Sequence, residues 1–278
     1  MDQADSDGLQ LTRLYSRLSR WTRLKSRLTP GNRSTSLLMH KTVSPSVDDL
    51  TFEAANLPSD PRVLDAGCGL GGTVFRWHEK GGGTYDGITL SPAEVEAANR
   101  EARRRGLSSY VRFSCRSYDE PLGEGYDAVV AIESLIHSKD LPHSVDLLSR
   151  VLKPGGRLVM VDDVLRDDGD PVARPSLIRL KGFWYLTDVP SEGNVRMAFR
   201  SSGLNLVEET DLTGDIRWSS SRFLSLAEGL LKVVQFSVPV GWIREVVRAY
   251  RGGMALRRLY DEGRARYKLF VGEKGKNH

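Results

Sequence analysis

The sequence has few cysteines and no long apolar run. Its 278 residues include two cysteines, Cys68 and Cys115, which lie far apart and outside any C-x-x-C spacing. That pattern fits neither a disulfide framework nor a structural zinc site, and it favours a reducing compartment. No apolar run approaches the roughly 20 residues that span a bilayer. The first residues, MDQADSDG, are acidic, whereas a signal peptide begins with basic and then apolar residues. We therefore expect a cytoplasmic protein without a bound metal.

The chain also has little excess charge. Forty Lys and Arg residues stand against 36 Asp and Glu residues, which gives a formal net charge of +4. A balance of this kind permits a nucleic-acid partner without implying one, and we expect none. A chain of this length can bury one substantial core.

The first 50 residues contain a basic amphipathic segment. Between positions 9 and 28 leucines and a tryptophan recur every three or four residues, with five arginines between them. This spacing predicts a helix with one apolar and one basic face. We interpret residues 1–50 as a helical arm or lid on the main domain. Peripheral contact with a membrane, or with an anionic partner, remains open.

From residue 62 onward, short apolar runs alternate with helical patterns. The predicted strands are 62–66, 84–88, 110–115, 126–132, 157–163, 204–210 and 267–272, and the predicted helices include 72–80, 92–105, 142–152, 195–202, 221–234 and 242–260. Such alternation is typical of an α/β fold with a doubly wound, mostly parallel sheet of the Rossmann type. We expect residues 51–278 to form one domain, with substrate-covering insertions at about 164–200 and 212–262.

The segment VLDAGCGLGG, residues 63–72, places a glycine-rich turn between a predicted strand and a predicted helix. Backbone N–H groups in such a turn face a ligand at the positive end of the helix. A dinucleotide site would need an acid about 20 residues further on, but Asp86 lies inside the second predicted strand. Asp65 is badly placed beside a pyrophosphate and well placed beside an ammonium group. We therefore expect a zwitterionic ligand such as S-adenosylmethionine.

Four segments together resemble a family, the class I S-adenosylmethionine-dependent methyltransferases of small molecules. They are VLDAGCGLGG (63–72), GITLSP (87–92), YDAVVAIESLIHS (126–138) and LKPGGRLVMVDDVL (152–165), in the order and spacing of that family. The similarity is to its sterol- and tocopherol-like branch and to natural-product O-methyltransferases. It implies S-adenosylmethionine as cofactor, and a sheet of six parallel strands with an antiparallel last strand.

The resemblance also implies which residues hold the cofactor. Its methionyl end is assigned to Asp65, Gly67 and Gly69, its ribose and adenine to Thr89 and Leu90, and the rest of the pocket to Ala66, Cys68, Arg116, Ser117 and Ile132.

Two positions depart from the pattern of the family. Thr89 stands where many relatives have an acid, so a hydroxyl takes its place. Cys115 and the two residues after it stand where relatives tend to have an acid beside the adenine. Recognition of the adenine is then left to backbone groups, to Ser117 or to a shifted Asp119.

The candidate catalytic residues follow two of the predicted strands. Methyl transfer is an in-line displacement, so the enzyme mainly aligns its reactants, and it needs a base only for a protonated nucleophile. Glu133 follows the fourth strand, His137 comes four residues later, and Asp162 ends the fifth strand. An imidazole can take a proton from a hydroxyl. The resembling O-methyltransferases have this histidine and aspartate as their proposed base pair, although Ile136 replaces their first histidine.

Two chemistries remain open for a small, lipophilic acceptor. The first is O-methylation of a secondary metabolite or sugar hydroxyl, with His137 as base and Asp162 in support. The second is C-methylation of an isoprenoid through a carbocation, with Glu133 or His137 removing a proton. The aromatic segment GFWYL (182–186) either packs the core or lid, or lines the acceptor pocket. A binding protein that keeps the fold without turnover is a third interpretation.

Overall fold

The computed structural model describes residues 45–120, 122–167, 175–216 and 241–276. The predicted helices at 9–28 and 221–234 lie outside these residues, as does most of the predicted arm at 1–50. Among the helices that are described, none has both the length and the apolar character needed to cross a bilayer.

The described elements alternate along the chain as the sequence predicts. The strands are β1 (Arg62–Ala66), β2 (Thr84–Thr89), β3 (Val111–Cys115), β4 (Tyr126–Ile132), β5 (Leu152–Leu165), β6 (Leu204–Asp211) and β7 (Ala265–Lys274). The helices are α1 (Val47–Ala55), α2 (Gly72–Gly81), α3 (Pro92–Arg105), α4 (Leu141–Arg150), α5 (Pro175–Trp184), α6 (Glu192–Ser201) and α7 (Gly241–Asp261). Single-turn 3-10 helices lie at Leu135–His137 and Thr213–Asp215. All seven predicted strands are present.

The strands form one sheet in the order β3-β2-β1-β4-β5-β7-β6. Strand β7 runs antiparallel to both of its neighbours, and the other neighbouring pairs are parallel. This confirms the predicted doubly wound sheet with an antiparallel last strand. The strand order reverses between β1 and β4, and in open α/β sheets the ligand crevice lies at such a point, beyond the carboxyl ends of the strands.

Local sequence signals set the ends of α3 as predicted, whereas the end of α4 differs from the prediction. Ser91 caps α3 by accepting the backbone N–H of Glu94, and Gly106 ends the helix with a φ of 73°. Helix α4 ends at Arg150, before the predicted end at 152. The KPGG segment at 153–156 lies within β5, where the pairing with β4 shifts register and Gly155 has a φ of 80°. The predicted turn is therefore a bulge inside a longer strand.

The two faces of the sheet carry separate apolar cores. Side chains of β5 alternate between them: Val159 and Val161 pack with α5 and α7 on one face, and Leu158 and Met160 pack with α4 and α6 on the other. Helices α5 and α7, from the two predicted insertions, also contact each other. The Trp184 indole N–H donates to the backbone carbonyl of Ala249 over 3.1 Å.

Candidate active site

The glycine-rich loop after β1 is fixed against the turn after β4. The backbone N–H groups of Gly67 and Cys68 both donate to the carbonyl of Ile88 at 2.9 Å. The Ser134 hydroxyl donates to the carbonyl of Ala66 at 2.7 Å. A Cβ atom at Gly67 would lie 2.4 Å from the Cβ of Ser134, and Gly67 has a φ of 99°. The loop therefore lies in the crevice where the strand order reverses, and it needs glycine there.

We expect Gly67→Ala to lower the free energy of unfolding by about 2–4 kcal/mol, because the new methyl group adds a clash to an unfavourable φ. Gly106→Ala is the matched control, since Gly106 has a φ of 73° and a Cβ atom there would meet nothing within 4 Å. It should cost only about 1 kcal/mol. Urea denaturation measures both. Equal losses would contradict the close packing of the loop on Ser134.

Asp65 is the buried acid of the site. It is the fourth residue of β1 and 4% exposed, and its Oδ2 atom has no hydrogen-bond partner among the described residues. Burial raises the pKa of this carboxyl group to about 8, and the nearby charge of Asp48 adds to the effect. A buried polar atom without a partner is costly unless a ligand satisfies it. An ammonium group would supply both the donor and the counter-charge, so Asp65 fits the methionyl end of S-adenosylmethionine.

A buried acid on α3, Glu94, lies beside Thr89 at the end of β2. The Thr89 hydroxyl donates to Oε2 of Glu94 over 2.7 Å, and Glu94 is 2% exposed. The hydroxyl at the predicted ribose position is thus backed by a carboxylate. Glu94 was not predicted from the sequence, because S-x-x-E at 91–94 is also a helix-capping pattern. Beside it, Leu90 is 40% exposed, and the Arg116 backbone N–H donates to the Thr89 carbonyl.

The side chains predicted for adenine recognition are bound to the protein itself. The Ser117 hydroxyl accepts the backbone N–H of Asp119 at 3.0 Å, and the Asp119 carboxylate accepts the Ser144 hydroxyl. Cys115 is exposed at the end of β3. Each side chain keeps some capacity, since the Ser117 hydroxyl can still donate and the second Asp119 oxygen can still accept. All three options for the adenine therefore stay open as predictions.

The other residues assigned to the cofactor pocket lie at the same edge of the sheet. Ala66 and Ile132 are the buried last residues of β1 and β4, and Gly69 has a φ of 51° in the loop. Burial raises the pKa of the Cys68 thiol well above its usual range, so the thiol is neutral. These residues have apolar side chains or none, so they offer a ligand apolar surface and backbone groups.

His137 lies on the 3-10 turn after β4, facing α5. Its ring centroid is 6.5 Å from that of Trp184. Burial lowers the pKa of His137 to about 4, so the imidazole is neutral near pH 7. A neutral imidazole has one nitrogen that can accept a proton.

Asp162 supports this turn through the backbone. It is fully buried, and its two carboxylate oxygens accept the backbone N–H groups of Ile136, at 2.9 Å, and Asp163, at 3.0 Å. Burial, together with the charge of Asp163, raises the pKa of Asp162 well above its usual range. Asp162 therefore holds the backbone of the turn that carries His137.

Two carboxylate–tyrosine pairs lie on the face covered by α5 and α7. The Tyr267 hydroxyl donates to Oε1 of Glu133 over 2.9 Å, and the Tyr260 hydroxyl donates to Asp163. Burial is the main cause that raises the pKa of both tyrosines, so they stay protonated donors. Glu133 has a φ of 49°, which is uncommon for a residue with a side chain.

This grouping was not predicted from the sequence. Asp163 and Tyr267 are paired across β5 and β7, and that antiparallel register brings them to one face. Alternation along β5 predicts only that the side chains of Asp162 and Asp163 point to opposite faces of the sheet. It does not reveal which side chains of β7 lie opposite.

The aromatic segment at 182–186 divides between the two predicted roles. Trp184 is buried and faces His137. Phe183 and Tyr185 instead lie under the guanidinium groups of Arg251 and Arg248 on α7, each 4.5 Å from the ring centroid. One ring thus lies near His137, and the other two contact α7.

The sheet order, the glycine loop and the buried acid at the end of β1 define a class I, Rossmann-like site for a cofactor with an ammonium group. Residues 64–160 match the family model described as a methyltransferase domain. The chain therefore carries a class I S-adenosylmethionine-dependent methyltransferase domain of the small-molecule type, and S-adenosylmethionine is its cofactor.

Similar proteins agree with that assignment. Methyltransferase GfsG of Streptomyces halstedii is 31% identical over 65% of this chain and 66% of its own length. O-methyltransferase cnsE of Penicillium expansum is 31% identical over 58% of each chain. The chain thus spans about two thirds of the first relative's length and less of the second.

A solved structure shares the fold. Geranyl diphosphate C-methyltransferase from Streptomyces coelicolor, in complex with Mg2+, geranyl diphosphate and S-adenosyl-L-homocysteine, superposes with a TM-score of 0.64. The likeness covers 82% of this chain and 77% of that one at 23% identity.

Proposed function

We propose that the protein transfers a methyl group from S-adenosylmethionine to a hydroxyl of a small, lipophilic molecule, such as a secondary metabolite or a sugar derivative. The observation that carries this proposal is the position of the His137 imidazole, on the turn after β4 beside the Trp184 ring at the edge of the cofactor crevice. The named activity of the relative cnsE, an O-methyltransferase, supports it.

In this proposal the bound cofactor supplies an electrophilic methyl group, and the protein supplies alignment and a base. His137 accepts the hydroxyl proton on a ring nitrogen as the acceptor oxygen attacks. Asp162 keeps the imidazole in place through the Ile136 backbone. Trp184 provides an apolar wall that keeps water from the reacting atoms.

The acceptor class can be tested with labelled cofactor and a panel of phenols, glycosides, prenyl diphosphates and sterols. We expect a phenol or glycoside to gain the label, and mass spectrometry should locate the new methyl group on oxygen. Label on a carbon atom of a prenyl diphosphate or sterol would overturn O-methylation in favour of the second candidate below. Cofactor binding with no labelled product from any hydroxyl compound would also contradict it.

The second candidate is C-methylation of an isoprenoid through a carbocation. The Glu133 carboxylate favours this candidate, because such a group can remove the proton that ends the reaction. It accepts the Tyr267 hydroxyl on the face of the sheet that α5 and α7 cover. The likeness to geranyl diphosphate C-methyltransferase is a further reason to include prenyl diphosphates in the panel.

Glu133→Gln separates the two candidates. For O-methylation we expect the variant to keep most of its turnover, because the amide can still accept the Tyr267 hydroxyl and His137 remains as base. For C-methylation it should lose about 100-fold or more, the usual size of a lost acid–base group. Initial rates on the acceptor from the panel decide between them, with Tyr267→Phe as the control for the hydrogen bond alone.

The division into an arm at 1–50 and a domain at 51–278 stays a prediction, as do peripheral membrane contact and a cytoplasmic location. We propose that the insertions at about 164–200 and 212–262 cover the acceptor. The packing of α5 and α7 on each other and the contact of Trp184 with His137 support this role.

A further inference from the structure

The turn that carries His137 is held at both ends from the loop that follows β3. This turn comprises residues 134–138 and includes the first 3-10 helix. Tyr118 and Asp119 are consecutive in the loop, and they reach the turn by separate hydrogen bonds. The loop after β3 and the turn after β4 are therefore tied together at the carboxyl edge of the sheet, where the ligand crevice lies.

Tyr118 fixes the start of the turn. Its hydroxyl donates to the backbone carbonyl of Ser134 over 3.2 Å, and the same carbonyl accepts the backbone N–H of His137 at 3.2 Å. The ring packs against the apolar core on the α4 face of the sheet. Burial raises the pKa of Tyr118, so the hydroxyl stays a protonated donor. One carbonyl thus joins Tyr118 to the backbone of the proposed base.

Two serine hydroxyls fix the end of the turn. The Ser144 hydroxyl, fully buried on α4, donates to the Asp119 carboxylate. Ser144 has a single hydroxyl proton, so the Ser138 hydroxyl, 2.7 Å away, is the donor between the two serines. The Ser138 hydroxyl also accepts the backbone N–H of Asp140 at 3.2 Å. Because Ser138 directly follows His137, Asp119 is linked to the proposed base through two hydroxyl groups.

The middle of the turn has an anchor of its own. Asp162 accepts the backbone N–H of Ile136 at 2.9 Å. A polar network whose members are satisfied makes its surroundings rigid. A general base must lie within hydrogen-bond reach of the proton that it takes, and a displacement of about 1 Å can lower the rate about 100-fold. The placement of this turn therefore matters for a base on it.

We propose that Tyr118 and Asp119 are positioning residues for methyl transfer. They hold the turn so that the His137 imidazole stays within reach of the acceptor hydroxyl. In this role they act through Ser134 and Ser138, and they need not touch cofactor or acceptor. The inference rests on the proposed function, because it takes His137 as the base.

Tyr118→Phe removes the hydroxyl and keeps the ring in the core. At saturating cofactor and acceptor we expect kcat to fall about tenfold while the Kd of S-adenosylhomocysteine stays within about twofold, because the base is displaced and the cofactor loop is not. In protein with isotope-labelled histidine, the NMR signal of the His137 ring should shift. The signal that is missing from His137→Ala identifies it among the five histidines.

Tyr126→Phe is the matched control. Tyr126 is the first residue of β4, at the opposite end of that strand from the turn, and its hydroxyl donates to Asp86 over 2.9 Å. Each variant loses one tyrosine hydrogen bond, so we expect similar losses of stability in urea denaturation. Only Tyr118→Phe should change kcat and the His137 signal. If the two variants also agree in those two measurements, the Tyr118 contact is merely structural and its positioning role is wrong.

Ser144→Ala tests the other end of the turn, and it keeps the test decisive if Tyr118→Phe fails to fold. It breaks the link between Asp119 and Ser138, so it should lower kcat and shift the His137 signal as well. Ser149→Ala is its control, because Ser149 is buried on the same helix and its hydroxyl donates to the backbone carbonyl of Asp146 at 2.8 Å. The control should match the wild type. A Ser144→Ala variant that also matches it would overturn the role of Asp119.

The proposed function and this inference can fail separately. Normal turnover in His137→Ala would contradict the proposed base, and the positioning role would fall with it. If His137→Ala is inactive but Tyr118→Phe and Ser144→Ala keep the kcat and the His137 signal of the wild type, only the inference about the loop is wrong.

Discussion

Replacing Asp65 with asparagine is expected to remove most of the affinity for S-adenosylmethionine. The carboxylate is buried, and its Oδ2 atom has no partner among the described residues. We propose that the methionyl ammonium supplies its counter-charge. Losing one partner of a buried charge pair costs about 3 kcal/mol, which corresponds to a roughly 100-fold weaker Kd. Calorimetry with S-adenosylmethionine and S-adenosylhomocysteine measures the change.

Asp86→Asn is the control for that variant. Asp86 lies within β2, as the sequence predicts, and its carboxylate accepts the Tyr126 hydroxyl at 2.9 Å and contacts Arg62. Its removal should leave cofactor affinity unchanged. If Asp65→Asn binds the cofactor as tightly as the wild type, the ammonium lies elsewhere and the assignment of the methionyl end is wrong.

Asp65→Asn should also make the cofactor-free protein more stable. The pKa of Asp65 is about 8 in the folded chain and about 3.9 in an unfolded one. Between those values the folded chain keeps a proton that the unfolded chain releases, so the free energy of unfolding falls as pH rises. Asparagine does not titrate, so the Asp65→Asn variant lacks this fall in the free energy of unfolding. The gain from Asp65→Asn should therefore grow from about pH 4 to about pH 8, as measured by urea denaturation at each pH.

Replacing His137 with alanine is expected to lower turnover by about 100-fold or more and to leave cofactor affinity unchanged. The imidazole is the proposed base, whereas the residues assigned to the cofactor lie on β1, β2, the end of β4 and the loops after β1, β2 and β3. Initial rates with the acceptor found in the panel, together with calorimetry on the cofactor, measure both effects.

His143→Ala is the matched control, because His143 is an exposed histidine on the neighbouring helix α4. Its rates should equal those of the wild type.

Because the pKa of His137 is about 4, the wild-type rate should stay level from neutral pH down to about pH 5 and fall only nearer pH 4. Normal turnover in His137→Ala would discard the histidine as a base.

The fold could be predicted largely from local patterns. Each parallel strand is a short apolar run, and punctuation such as Ser91-Pro92 and Gly106 set the ends of α3. The bulge at 153–156 was harder, because a proline and two glycines predict a turn equally well between elements and inside a strand. Only the pairing of β5 with β4 distinguishes the two cases.

The candidate site was predicted in part. Asp65 could be singled out because its distance from the glycines is fixed along the chain. Ser117 and Asp119 remained as options for the adenine. The Ser117 hydroxyl accepts a local backbone N–H two residues on, whereas the contact of Asp119 with Ser144 is a tertiary one that the sequence did not show. Glu94 was missed because a capping acid and a site acid look the same in sequence.

The sequence by itself determined the strand and helix periods, the glycine loop and the acid before it, because each depends on neighbours along the chain. Only the tertiary structure decided which side chains the buried acids contact. The pairing of Asp163 with Tyr260 and of Glu133 with Tyr267 depends on contacts between residues far apart in sequence. Strand register and helix docking set such contacts, and no local spacing records them.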